Sequence, residues 1–144
     1  MTGGGAGVGA GAGEAERAVA AVRLVQDLVA KVPGFEEAYE AHVVGEHGVL
    51  PHVFFTVDVV EETVSSYLGE GDPDGPDWRQ VLAFLEDESR SAVPGACSVI
   101  VTSFLDDLPY EGQPGCGLAA HLGPVMGAKF RELRPWWVAL GSGV

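Results

Sequence analysis

The sequence predicts an all-α fold, a compact bundle or short helical-hairpin stack of five to seven helices. Apolar residues recur at spacings of three and four in five separate segments, the period of a half-buried helix. Pro-Gly pairs at 33–34 and 94–95 punctuate those segments. Candidates for extended structure reduce to a possible short segment near 52–57 and the β-branched run at 99–102.

Residues 1–13 hold seven glycines and no charge, so this Gly/Ala-rich head is expected to be disordered. Its GxGxxG-like spacings follow no strand and do not make a dinucleotide site. The single helical domain is expected over 14–138, with a flexible tail at 139–144.

From Glu14 to Val32, the positions Ala18, Val22, Val25, Val29 and Val32 trace one helix face, ended by Pro33-Gly34. A second helix runs from Phe35 to about Gly45, with Phe35, Ala38 and Tyr39 opposite Glu36, Glu37 and Glu40. The apolar run Leu50-Pro51-His52-Val53-Phe54-Phe55 reads equally as a buried extended segment or a helix start. Asp58 and Glu61 have capping-box spacing, which predicts a helix from Val59 to Leu68. Gly69 to Pro76 is a solvated loop of Pro, Gly and acids. Asp77, with Gln80 three residues on, caps a helix carrying Trp78, Val81, Leu82 and Leu85 to about Ala92. Cys97, Ile100, Val101, Phe104, Leu105 and Leu108 form the broadest stripe, and its period outweighs the strand preference of residues 99–102. A last helical region from Leu118 to Leu133 breaks at Gly123-Pro124 and stops before Pro135.

Charge is the most unusual feature. The 144 residues carry a formal net charge of −13 and a pI near 4.4, with a mean hydropathy of +0.17. Such a chain is a poor binder of nucleic acid or anionic membrane. Residues 35–88 hold fourteen acids and one base, Arg79, while the remainder is neutral. Concentrated like charge opposes folding, so a basic partner surface gives it a use, and a solubilising face is the plainer alternative. Asp106 and Asp107 stand near a helix carboxyl end, where the macrodipole disfavours acids.

Chemistry-bearing constellations are sparse. His42, His47 and His52 repeat every five residues, a step that places no two neighbours on one helix face, so no metal site is expected. Cys97 is expected in the core. Cys116 sits in a Pro-Gly-Cys-Gly loop with His121 five residues on. A small enzyme would use this pair as nucleophile and base, with Asp106 or Asp107 orienting the imidazole. No cofactor is implied. Two cysteines and no apolar run near eighteen residues favour a reducing cytoplasm. Trp136 is expected to fold back over the core.

The runs Pro33-Gly34-Phe35, Leu50-Pro51-His52-Val53-Phe54-Phe55 and Ser103-Phe104-Leu105-Asp106-Asp107-Leu108-Pro109, with Leu122-Gly123-Pro124, resemble a family of small uncharacterised bacterial helical domains. The resemblance spans about residues 30–134 and implies no catalytic residue. In general type, small acidic helical chains are similar to immunity proteins that neutralise toxins.

The leading expectation is therefore an acidic cytoplasmic binding protein that docks a basic partner, such as a toxin or nuclease domain. The expected contact residues are Glu36, Glu37, Glu40, Glu61, Glu62, Asp74, Glu86, Asp87, Glu88, Asp106 and Asp107. The alternatives are the Cys116/His121 enzyme and a regulatory domain holding a small molecule between helices.

Overall fold

The computed structural model describes residues 2–136, with side chains from Gly13 onward. The tail expected at 139–144 lies outside the described residues, whereas of the head expected at 1–13 the backbone of residues 2–13 is described, as the first part of a long helix. Among the described residues there are seven α-helical segments and no strand: α1 (Thr2–Lys31), α2 (Glu36–Glu46), α3 (Pro51–Val53), α4 (Val60–Tyr67), α5 (Trp78–Ser91), α6 (Pro94–Ile100) and α7 (Pro124–Leu133). Short 3-10 turns at Pro33–Phe35 and Cys116–His121 join them. No helix is long and apolar enough to cross a membrane among the described residues.

Both ambiguous stretches are helical, so the possible extended segment near 52–57 is not present. Their helices are wider than expected. Phe54–Val59 links α3 to α4 as a π-helical segment, and Val101–Leu105 continues α6 as a second one. Backbone bonds of the i→i+5 kind close them, Val60 N–H to the Phe55 carbonyl and Asp106 N–H to the Val101 carbonyl. The helix therefore runs unbroken from Pro51 to Tyr67, and Asp58 lies within it rather than capping a new one. Pro51 occupies the first helical turn, where its missing N–H costs nothing.

The two π segments pack against each other and carry the aromatic centre of the core. Phe54 meets Phe35, Tyr39 and Phe55 edge-on at centroid separations of 6.3, 5.9 and 6.5 Å, and Phe55 meets Phe104 at 6.5 Å. All four phenylalanines are fully buried. Burial contributes roughly 1.5–3 kcal/mol per such side chain, with more from edge-to-face geometry.

Around this centre α1 packs most extensively on α6. Its buried face is Ala21, Leu24, Val25, Leu28, Val29 and Val32, while Ala18 is exposed and Val22 half-buried. The helical spacing is as expected, but the stripe is turned toward the two leucines, which bury more apolar area than Ala18. In α5 the Asp77 side chain accepts from the Arg79 N–H at 3.0 Å, a working N-cap. Gln80 does not complete a capping box, because its side-chain amide donates to the Lys31 carbonyl instead. Gly123 and Pro124 break the last helical region as expected, and α7 ends with Arg134 in the cap position.

Candidate functional site

Four of the expected contact residues converge on one groove. Glu36 and Glu37 stand in the first turn of α2, Glu62 comes from α4, and Asp74 comes from the loop before α5. Asp72 joins them, and the groove they border encloses about 390 Å³ over Pro33, Ala38 and Ala41. A smaller hollow of about 190 Å³ shares Glu62 and Asp72 and adds Glu70. No basic residue lines either one.

Local backbone geometry holds these carboxylates together. The Asp74 N–H donates to Asp72 Oδ1 at 2.9 Å, and the Gly75 N–H donates to the Asp72 carbonyl at 2.9 Å, which folds the loop tightly. Gly34 lies directly on that loop. A Cβ at position 34 would fall 2.4 Å from the Gly75 carbonyl carbon, so only glycine lets the α1–α2 turn and the Asp72–Gly75 loop touch.

The groove is electrostatically uncompensated. Burial pushes the Glu62 carboxyl above its ordinary value, and the carboxylates of Asp58, Glu61, Glu37 and Asp72 push it further the same way. Asp58 is raised as well, by burial first and by Glu61, against an opposing pull from His42. His42 is buried under Phe54, and its Nε2 accepts from the Leu50 N–H at 2.9 Å, which pins the α2–α3 turn.

The remaining expected residues lie elsewhere. Glu40 and Glu61 are exposed on α2 and α4 but do not line the groove. Glu86 is not a surface charge: its two carboxylate oxygens accept from the Val125 and Met126 N–H groups at 2.8 and 2.9 Å, closing the N-terminus of α7. A Cβ on Gly123 would sit 2.5 Å from the Glu86 carboxyl carbon, so glycine is what lets the carboxylate in. Asp87 is exposed beside Arg90 at 3.7 Å. Glu88 lies half-buried against α1, its carboxyl raised by burial and then by Asp27 and Asp87.

Asp106 and Asp107 are exposed, and Asp107 Oδ2 accepts from the Thr56 hydroxyl at 2.8 Å, tying the first π segment to the turn that follows the second. The residue that answers their unfavourable position is Arg134. Its guanidinium donates to the carbonyls of Asp106, Leu108 and Pro109 at 2.7, 2.7 and 3.1 Å. It also lies over Tyr110 and Phe130 at 4.0 and 5.0 Å.

The structure does not assemble the Cys116/His121 pair. The His121 ring packs on Tyr67 and Trp78, at 5.7 and 4.9 Å, and no hydrogen bond joins it to Cys116, Asp106 or Asp107 among the described residues. Cys97 and Cys116 are free thiols, and Cys97 is half-buried rather than a core residue. Among the described residues no three His, Cys, Asp or Glu side chains converge as metal ligands. Trp136 does not cover the core and stays 55% exposed. Compared with protein-family models, curated proteins and solved structures, the chain matches none.

Proposed function

We propose that the chain is a binding protein whose acidic groove receives a cationic segment of a partner protein. The observation that carries this reading is the convergence of Glu36, Glu37, Glu62, Asp72 and Asp74, from three separate stretches of chain, on a groove that no base lines. A Lys or Arg entering it would offset the burial and the repulsion that together raise Glu62, and would meet preplaced acceptors. The net charge of −13 would steer a basic surface toward the chain over about one Debye length, ~8 Å at physiological salt. The same charge repels nucleic acid.

In its finer form the partner is a toxin or nuclease domain held inactive, in the manner of an immunity protein. The encounter would take place in the cytoplasm, where the two cysteines stay reduced. The coarser reading does not depend on that partner class.

The experiment compares two charge-matched triple variants in association with an immobilised Lys/Arg-rich peptide across a salt series. Glu36→Gln/Glu62→Gln/Asp72→Asn removes groove charge, and Glu14→Gln/Glu16→Gln/Glu132→Gln removes as much elsewhere. The groove variant is expected to weaken binding by at least about tenfold more than its control. Equal losses would show that net charge alone attracts the peptide and would overturn the groove as the site.

A further inference from the structure

Arg79 is the one base among fourteen acids in residues 35–88, yet among the described residues its side chain forms an ion pair with none of them. The ion pairs of the described residues both belong to Arg90. The guanidinium of Arg79 instead lies over the indole of Trp78 at 4.4 Å, and its N–H groups meet no protein acceptor among the described residues. Trp78 is itself buried and held in place, with Tyr67 edge-on at 5.1 Å and His121 at 4.9 Å.

This arrangement opens on a cleft of about 360 Å³ between α5 and the chain around His121 to Pro124. Its lining includes the apolar side chains of Leu82, Ala83 and Pro124. The one carboxylate of the cleft, Glu86, is occupied by the backbone of α7 and by Arg90 at 3.7 Å. The Asp77 carboxylate caps the Arg79 backbone N–H at 3.0 Å but does not line the cleft, so the Arg79 guanidinium is the charge the cleft presents at this end.

We infer that this cleft binds a small organic anion, a carboxylate or phosphate bearing a flat apolar body. Arg79 supplies a fork of donors already fixed on an aromatic face, which lowers the entropy lost on binding. His121 offers a second polar contact at the same end. The apolar lining takes the body, and the volume falls within the range of small-molecule pockets, well above what a bare inorganic anion fills. A polyanionic protein segment fits less well, because the chain's net charge of −13 repels it, whereas a single-headed ligand approaches at little electrostatic cost. The site is separate from the acidic groove and does not rest on it.

The test is an NMR titration of the isotope-labelled full chain with phenyl phosphate, benzoate, benzamide, inorganic phosphate and pentaglutamate. Phenyl phosphate or benzoate is expected to give saturable shifts at Trp78, Arg79, His121 and Gly123, and the tighter of the two names the head group. Benzamide, which keeps the ring without the charge, and inorganic phosphate, which lacks the body, are expected to bind at least about tenfold more weakly. Arg79→Gln, its folding verified by the same spectra, is expected to lose about tenfold in affinity for the aryl anion, and Lys129→Gln none. The proposal is overturned if neither aryl anion saturates, if benzamide binds equally, if pentaglutamate binds more tightly, or if Arg79→Gln binds as the parent does.

Discussion

Arg134 Nη2 donates to the carbonyl oxygen of Leu108 at 2.7 Å, across 26 positions of sequence. The same nitrogen reaches the Asp106 carbonyl, and Nη1 reaches that of Pro109, so one side chain satisfies the orphan acceptors where the second π segment ends. Burial pulls the Arg134 pKa below its ordinary value, while Tyr110, Asp106 and Asp107 pull it back. The cation thus complements a helix end that two aspartates would otherwise make worse.

Replacing Arg134 by Met keeps much of the volume and removes every donor. Three carbonyls then lose their partner, and the expected cost is about 3 kcal/mol in chemical denaturation. Arg134→Lys should fall between parent and Met, because an ammonium lacks the planar fork that spans several carbonyls.

Glu86→Gln tests the closure of α7. The amide leaves one backbone N–H facing an NH2 group and removes the negative charge from the helix N-terminus. A loss of about 1–2 kcal/mol is expected. Native-state hydrogen exchange should show the Val125 and Met126 amides opening faster, with the amides of α1 much less affected.

The raised carboxyls of Asp58, Glu62 and Glu88 set a pH dependence. A carboxyl that titrates higher in the native state than in the unfolded chain takes up its proton first on folding. Its unfavourable contribution is present at neutral pH and is relieved as pH falls through the raised native value toward the ordinary one. The melting temperature is therefore expected to rise as the pH falls from neutral toward the ordinary carboxylate range. Glu62→Gln should melt higher than the parent at neutral pH, with the gap closing as the pH falls. A parent that melts lower in mild acid, with Glu62→Gln tracking it, would refute the assignment.

Phe104→Ala empties a fully buried position against Phe55 and should cost about 3–5 kcal/mol by denaturation. This position was legible from spacing alone, as were α2, α5 and the break at Gly123-Pro124. The period of 3.6 reports a buried face directly, and it also outvoted the β-branched run at 99–102. What it could not show was that both ambiguous segments would widen into π turns, a departure of the backbone hydrogen bonds that leaves the spacing of apolar residues unmarked.

The acidic groove was half legible. The excess of acids in the middle of the chain is plain in the sequence, but Asp72 gained its place through a local turn and through contact of its loop with Gly34, and the second of these is a tertiary fact. Glu86 could have been recognised, since it follows Leu85 and stands four residues beyond Leu82 on the stripe that α5 buries. A carboxylate on a buried stripe calls for internal donors. Arg134 gave no such signal, because its acceptors are backbone atoms brought near only by the folded chain.

The paired π turns also bear on how the chain tolerates changes in length. A π turn accommodates one residue more than the α-helical turn it replaces, so deleting one residue within Phe54–Val59 converts i→i+5 bonds to i→i+4 and lets both flanking helices keep their angular phase. Deletion within α5, which has no such slack, rotates everything beyond it by about 100° and turns its apolar stripe off the core. Single-residue length differences between this chain and any descendant should therefore collect at 54–59 and 101–105, the two stretches where the helix already holds a residue to spare.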